Sequence, residues 1–220
     1  MANNLRELTD PKTTAIVINE MQEAIAGRLA KAPLDAIANV VRERKVVEHL
    51  AALLKAARRV GAHVFHGVYE TRPDGLGMSM PTPFTQRMAA MGAPPLTKGS
   101  KAVAIMLELG PEQGDFVISR THGWHPFEGT ELDSILRDIG VRTVIAAGVS
   151  TNIGVQGIVV EALNRNYRAI VASDCVAGFP PEYADMSLKH GVGLVAFIST
   201  AKEIAAAWGI DWDLLRDGNR

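Results

Sequence analysis

Polar and charged side chains follow apolar runs at three places in the sequence. NEMQ, with Glu20, follows TAIVI; SRTHGWHPFEGT, with Arg120, follows DFVI; and GVSTNIGV, with Gly154, follows TVIAA. A carboxylate can move protons during hydrolysis, a guanidinium can hold a substrate carboxylate, and a glycine lets a ligand approach the backbone closely. Each stretch also has a structural interpretation, as a surface carboxylate, its salt-bridge partner and a strand-to-helix turn. Their chemistry therefore depends on whether the fold brings them together.

Six short apolar runs alternate with longer segments of helical periodicity. The runs are apolar on both faces, which is typical of strands in a parallel sheet covered by helices. The predicted strands are TAIVIN (14–19), AHVFHGV (62–68), DFVISR (115–120), RTVIAAG (142–148), YRAIVAS (167–173) and LVAFIS (194–199). The predicted helices cover residues 34–59, 131–139, 152–164 and 183–192, with Thr130 as the N-cap of the second. This alternation predicts an α/β fold of three layers, α/β/α, around an open parallel sheet.

The predicted sheet gives the three polar stretches a common location. Ligands of open parallel sheets bind outside the carboxyl ends of the strands, near the point where the strand order reverses. Each of the three stretches comes directly after a predicted strand. We therefore expect Glu20, Arg120 and Gly154 to face one shared cavity.

Composition and charge exclude several classes of partner. Lysine and arginine number 23 against 24 aspartate and glutamate residues, which leaves no electrostatic signature for nucleic acid or an anionic membrane. No run of about 18 apolar residues could span a bilayer, and MANNLRELTDPK lacks the apolar centre of a signal peptide. The single cysteine cannot form an internal disulfide. We expect a cytoplasmic protein that binds a small molecule and has neither a nucleic-acid nor a membrane partner.

The length favours one domain over residues 1–220, with one irregular excursion at 70–102. This segment holds four of the eight methionines and five of the eleven prolines. Long segments without clear periodicity are usually functional or mobile, and methionine makes adaptable apolar contacts. The segment is predicted to be a lid or an arm that reaches a neighbouring subunit, although a flexible excursion without such a role remains open.

The motifs FEGTELD (127–133) and GVST (148–151), together with MQ after the first strand, resemble those of the isochorismatase-like hydrolases, the cysteine hydrolase superfamily. The resemblance covers nearly the whole chain. It implies a six-stranded parallel sheet of order 3-2-1-4-5-6, a cis peptide bond between Val149 and Ser150, and a homodimer or homotetramer. The family pattern places an aspartate before Met-Gln, a lysine at the end of the third strand and a cysteine after Gly-Val-x-Thr.

All three predicted catalytic positions depart from that pattern. Glu20 stands in place of the aspartate, Arg120 in place of the lysine and Gly154 in place of the cysteine. Gly154 offers no thiolate, and Cys175 is expected to be a small buried apolar residue. True isochorismatases also have glycine at this position, and they hydrolyse an enol ether without a covalent intermediate. That similarity implies that Glu20 donates a proton and that Gly154 leaves space for water or substrate.

Arg120 allows two interpretations. A guanidinium keeps its proton, so Arg120 is a poor proton shuttle but a good clamp for a substrate carboxylate. It could instead pair with Glu20, and the ion pair would make Glu20 a weaker proton donor. Both arrangements remain open at the level of sequence.

The stretches around the three positions supply the predicted substrate-binding residues. These are Gln22, His122, Trp124, His125, Phe127, Val149, Ser150 and Thr151. The two histidines could supply a proton or could merely bond loop backbone, and Trp124 and Phe127 could form apolar walls or simply pack the loop. Asn19, Gln22 and Asn152 are expected to orient their neighbours rather than react.

No cofactor and no metal are predicted. Some family members bind zinc after the second strand, but His66 lacks an acid two residues before it, and no second histidine follows it nearby. The sequence therefore favours a hydrolase of a small organic molecule, enol-ether or amide-like, that works without a cysteine nucleophile. The alternatives are a family member that binds a small metabolite without turnover and a purely structural subunit.

Overall fold

The computed structural model describes residues 5–78 and 81–216. Six parallel strands form one sheet in the order β3-β2-β1-β4-β5-β6, which confirms the predicted fold and strand order. The strands are β1 (Thr14–Asn19), β2 (His63–Tyr69), β3 (Phe116–Arg120), β4 (Thr143–Val149), β5 (Arg168–Ala177) and β6 (Phe197–Ser199). Strand β6 is shorter than predicted, because Val192–Leu194 form a 3-10 turn before it.

Nine helices occur in the described part of the chain and cover both faces of the sheet. They are α1 (Leu5–Leu8), α2 (Asp35–Glu43), α3 (Val46–Val60), α4 (Pro83–Ala90), α5 (Leu132–Asp138), α6 (Gln156–Asn164), α7 (Pro181–His190), α8 (Ala201–Ala207) and α9 (Trp212–Arg216). Two apolar clusters, one on each face, bury every residue of the central strands β1 and β4. Both faces need this cover because strands of a parallel sheet are apolar on both sides.

The single long helix predicted over residues 34–59 is wrong, because the structure divides it into α2 and α3. Lys45, between them, has φ = 53°, a left-handed conformation that ends one helix before the next begins. In a continuous helix, Lys45 and Glu48 would lie on the same face as the buried residues Ile37 and Val41. The break restarts the apolar stripe at Val46, which is fully buried.

Helix boundaries elsewhere follow local capping. Helix α7 covers 181–190 rather than 183–192, because Pro181 occupies its first turn, where a missing N–H costs nothing. The predicted helix from residue 152 begins with a π-helical turn, Thr151–Val155, before α6. The residue that caps α5 by backbone geometry is Glu131 rather than Thr130, although the Thr130 hydroxyl accepts a hydrogen bond from the Leu132 N–H at 3.2 Å.

The excursion at 70–102 is less irregular than its sequence predicts, since it contains α4. Thr82 caps this helix through a reciprocal hydrogen-bond pair with Thr85. The aromatic rings of Phe84, in α4, and Trp124 form an edge-to-face contact, with ring centroids 5.8 Å apart. Residues 79 and 80 of the segment lie outside the described residues. A lid or an arm remains a prediction for this segment.

Strand register sets the position of the site. Asn19, the last residue of β1, lies opposite Gly67 in β2 and Gly148 in β4, and Arg120 ends β3 opposite Tyr69. The carboxyl ends of these four strands therefore share one edge of the sheet. Over the residues that the structure describes, no helix is both long and apolar enough to cross a membrane.

Candidate active site

Glu20 and Arg120 form a buried ion pair at the carboxyl edge of the sheet. The Glu20 N–H donates to the Gly67 carbonyl at 2.9 Å, and φ = 53° at Glu20 turns the chain out of β1. Non-glycine residues seldom adopt such angles, and those that do are concentrated at functional sites. Arg120 Nη2 donates to Glu20 Oε1. The direct pairing that the sequence left open is thus the arrangement in the structure.

The guanidinium of Arg120 is only partly satisfied by this pair. Its side chain is 1% exposed, against 17% for Glu20. Within the described residues, Arg120 Nε and Nη1 have no hydrogen-bond partner. The Tyr69 ring centroid lies 5.4 Å from Arg120 Cζ, a cation–π contact, and burial raises the pKa of the Tyr69 hydroxyl. A buried cation with unused donors is suited to bind an anionic group.

Asn19 joins the three stretches at their centre. Its side chain is fully buried, and its Nδ2 donates to the Val149 carbonyl at 2.6 Å and to the Trp124 carbonyl at 3.3 Å. These bonds tie the end of β1 to the end of β4 and to the loop after β3. The Val149–Ser150 peptide bond is cis, as the resemblance implies.

Gly154 lies against Asn19 in the π-helical turn after β4. A Cβ atom added at Gly154 would lie 2.2 Å from Asn19 Nδ2 and 3.0 Å from the Trp124 carbonyl oxygen. Gly154, Asn19 and the Trp124 backbone are therefore in contact, while Glu20 directly follows Asn19 and binds Arg120. The convergence of the three stretches, predicted from their positions after strands, is what the structure contains.

Two predicted substrate-binding residues have structural roles instead. Gln22 is fully buried, and its Nε2 donates to the carbonyls of Tyr69 at 3.0 Å and Val103 at 2.9 Å. Its Oε1 accepts from the Tyr69 N–H at 2.8 Å, so both ends of its amide bind the backbone. Phe127 is buried in an apolar cluster, with its ring 6.2 Å from that of Tyr167. Both residues therefore stabilise the segments that form the site.

The predicted histidines differ in their surroundings. His122 is exposed, with Nδ1 3.4 Å from the Thr121 hydroxyl. His125 is half-buried, and burial lowers its pKa, although Glu161 opposes the effect. A Cβ atom at Gly157 would lie 2.5 Å from His125 Cδ2, so this ring packs on α6, and its Nδ1 has no partner in the described chain. The lowered pKa favours the uncharged form of the His125 ring.

The turn after β4 accounts for the other predicted binding residues. The Ser150 carbonyl accepts hydrogen bonds from the Ile153 N–H at 3.2 Å and the Val155 N–H at 2.9 Å, which shape the turn. Thr151 is buried, and the Val149 carbonyl is held by Asn19. These residues lie at the site, but their backbone carbonyls are engaged within the protein.

Tyr69 is the site residue that the sequence interpretation missed. It ends β2 opposite Arg120, and its backbone is held by Gln22. The signal was available, because the end of the second predicted strand should share the carboxyl edge with the ends of the others.

The only cysteine of the sequence cannot act as the missing nucleophile. Cys175 is fully buried, and desolvation together with the neighbouring Asp174 raises the pKa of its thiol well above the ordinary value. A protonated, inaccessible thiol is inert. Among residues 5–78 and 81–216, no group of three or more histidine, cysteine, aspartate or glutamate side chains could hold a metal ion.

Comparisons with known proteins agree with this fold. The isochorismatase domain model matches residues 14–203. The chain belongs to the isochorismatase family. It is 29% identical over 217 residues to a ureidoacrylate amidohydrolase of Methylorubrum extorquens, covering 92% of this chain and 85% of the relative. A ureidoacrylate amidohydrolase of Caulobacter segnis is 26% identical over 214 residues, with coverage of 91% and 87%.

Solved structures give the same assignment. An isochorismatase family protein of Burkholderia thailandensis has a TM-score of 0.71 and 26% identity, covering 90% of this chain and 96% of that one. N-carbamoylsarcosine amidase of Thermoplasma acidophilum has a TM-score of 0.65 and 28% identity, with coverage of 86% and 96%. The predicted family is therefore confirmed for this isochorismatase-like hydrolase, and its relatives include amidohydrolases that act on small molecules.

Proposed function

We propose that this isochorismatase-family protein hydrolyses a small organic acid by direct attack of water, without a cysteine nucleophile. The observation that carries the proposal is the guanidinium of Arg120, which is buried, bound to Glu20 through one nitrogen, and unpartnered at Nε and Nη1 within the described residues. The single cysteine, Cys175, is fully buried and has a raised thiol pKa.

Arg120 is assigned to the substrate carboxylate. A guanidinium keeps its charge at any physiological pH and offers five N–H donors, of which Glu20 occupies only one nitrogen. A substrate carboxylate would satisfy the remaining buried donors and complete the charge balance around the cation. Tyr69, stacked on the same guanidinium, supports an apolar or unsaturated part of such a substrate.

Glu20 is assigned to proton transfer. A glutamate side chain that accepts a hydrogen bond from a guanidinium suits a general base that takes a proton from the attacking water. For an amide-like bond, that water adds to the carbonyl carbon and the proton then passes from Glu20 to the leaving nitrogen. For an enol ether, Glu20 must first be protonated and give its proton to the vinyl carbon. Water then adds to the oxocarbenium ion and returns a proton to Glu20, and the hemiketal collapses to a carbonyl compound as the C–O bond to the leaving alcohol breaks. The ion pair favours the amide-like route.

The names of two relatives support the amide-like route as well. Ureidoacrylate amidohydrolase and N-carbamoylsarcosine amidase are both named for hydrolysis of an amide-type bond in a carboxylic acid. The substrate class proposed for this chain is accordingly a small N-carbamoyl or N-acyl acid, with enol-ether acids as the second class to examine.

The test is a panel of small N-carbamoyl acids, amide acids and enol-ether acids, each with its uncharged ester or amide analogue. We expect turnover of at least one acid, a fall in kcat of about 100-fold or more in Glu20→Gln, and a raised KM in Arg120→Met. Cys175→Ala is the control and should leave the rate unchanged. Wild-type protein and Glu20→Gln that are equally inert across the panel would refute the proposal.

A second candidate is a family member that binds a small metabolite without turnover. It is favoured by the fact that Arg120 itself holds the proposed proton-transfer group Glu20. This function predicts that an acid from the panel is recovered unchanged after equilibrium dialysis, with an affinity that Arg120→Met abolishes and Glu20→Gln does not. The homodimer or homotetramer implied by the family resemblance, like the cytoplasmic location, stays a prediction.

A further inference from the structure

The orientation of the Asn19 amide is fixed by its partners. Both atoms that face Nδ2, the carbonyl oxygens of Val149 and Trp124, are acceptors only, so the nitrogen and not Oδ1 must point towards them. The side chain is fully buried between β1 and β4, where it cannot rotate into solvent. Asn19 is therefore a rigid part of the site.

The same amide occupies the space that a side chain at position 154 would need. A Cβ atom at Gly154 would approach Asn19 Nδ2 to 2.2 Å and Asn19 Cγ to 3.1 Å. Non-bonded carbon atoms pack best at about 3.5–4.0 Å, and 2.2 Å is far inside that distance, so one of the two groups must move. Moving Asn19 breaks its hydrogen bonds to the end of β4 and to the loop after β3, and it leaves a buried donor without a partner, which is costly.

We propose that Asn19 is the residue that determines which chemistry this site can perform, because its amide fills the space of a nucleophilic side chain at position 154. The catalytic meaning of this exclusion rests on the proposed function, in which water attacks the substrate directly. The steric part of the inference is independent of that function, since it concerns only the mutual exclusion of two side chains. A nucleophile introduced at position 154 can face the site only when Asn19 is made smaller.

The stability test is a cycle of Gly154→Ala with Asn19→Ala. Alanine normally stabilises a helical turn relative to glycine, so a loss on Gly154→Ala reports the steric conflict. We expect Gly154→Ala to lower the unfolding midpoint by about 3–10 °C in the wild-type background. In the Asn19→Ala background the same substitution should cost less than half as much. The Trp124 carbonyl, 3.0 Å from the added Cβ, accounts for what remains.

Gly157 provides the matched control. A Cβ atom there would meet His125 Cδ2 at 2.5 Å, in the same helical region but against a different neighbour. Gly157→Ala should therefore lose the same amount of stability with Asn19 as without it. If Gly154→Ala is equally costly in both backgrounds, or if Asn19→Ala relieves Gly157→Ala as strongly as Gly154→Ala, the proposal is overturned.

The functional test introduces a thiol at position 154 in a Cys175→Ala background, so that one cysteine is present. We expect the thiol of Gly154→Cys combined with Asn19→Ala to react with iodoacetamide at least tenfold faster than that of Gly154→Cys alone. Both should react at the same rate in denaturant. Equal rates in the folded proteins would refute the role of Asn19. Inert wild-type protein would refute the proposed hydrolase activity but would not change the result of the stability test or of the thiol test.

Discussion

The Glu20–Arg120 ion pair can be probed by removing the charge on one side only. Glu20→Gln keeps the shape of the side chain and an oxygen that can accept from Arg120 Nη2, but it leaves the guanidinium without a counter-charge. Because the Arg120 side chain is 1% exposed, water cannot replace the lost carboxylate. We expect the free energy of unfolding to fall.

The expected loss in the free energy of unfolding depends on how deeply each partner of the ion pair is buried. Breaking a fully buried pair costs about 3–5 kcal/mol, and the retained hydrogen bond of glutamine lowers this to about 2–3 kcal/mol. Arg120→Met should cost less, about 1–2 kcal/mol, because Glu20 is 17% exposed and keeps part of its hydration. Arg120→Met also removes the two nitrogens that have no partner in the described residues. The double variant should be more stable than the sum of the single effects predicts, by about 1–2 kcal/mol.

Urea unfolding, followed by tryptophan fluorescence, measures these differences at constant m-value. The matched control is Glu108→Gln, which removes the partner of Arg28 from a surface pair whose side chains are 39% and 81% exposed. It should change stability by at most about 0.5 kcal/mol. If Glu20→Gln costs no more than Glu108→Gln, or if the effects of Glu20→Gln and Arg120→Met simply add, the buried pair does not carry the energy assigned to it.

Three further outcomes test other parts of the fold. Gln22→Ala removes three hydrogen bonds to buried backbone groups and should cost about 3 kcal/mol in urea unfolding, whereas a loss below about 1 kcal/mol would contradict its role. Burial lowers the pKa of His66 from 6.5, so the unfolded chain takes up that proton first as the pH falls. The contribution of His66 to the free energy of unfolding should be fully present above about pH 6.5 and should be lost as the pH falls towards the lowered pKa of the folded state. His66→Gln should reduce this dependence of stability on pH. Lys45→Gly relieves a left-handed residue and should raise stability by about 0.5 kcal/mol, whereas Glu48→Gly inside α3 should lower it by about 1 kcal/mol.

Strand positions and the site edge were predictable because burial leaves a simple signal. The fully buried strands β1 and β4 read as continuous apolar runs, and their predicted ends lie within a residue of the observed ones. The carboxyl edge then follows from parallel strand geometry, which brought Glu20, Arg120 and Gly154 together. Spacing along the chain alone, without the geometry of the sheet, does not show that these three residues lie close together.

Side-chain partners were not predictable in the same way, since they depend on rotamers and on backbone angles. Gln22 and Phe127 come from the same short stretches as the reactive candidates. The Gln22 side chain nevertheless hydrogen-bonds to backbone, and the Phe127 side chain packs in the core. The break at Lys45 was visible in the sequence, because the apolar stripe changes phase between Val41 and Val46. The contact of Asn19 with Gly154 joins residues far apart in the chain and had no counterpart in any motif.

The three departures from the family pattern are consistent with one redistribution of charge. In that pattern an acid, a lysine and a thiolate share the site, so the cation has two anionic neighbours. Here the cation Arg120 keeps one anion, Glu20, and Gly154 supplies none. A buried guanidinium with unused donors at Nε and Nη1 favours a second anion, and the proposed function assigns this anion to the substrate. On this account the carboxylate of the substrate takes over the electrostatic position of the thiolate. The prediction that follows is a steep preference for acids over their esters in kcat/KM, which Arg120→Met should remove.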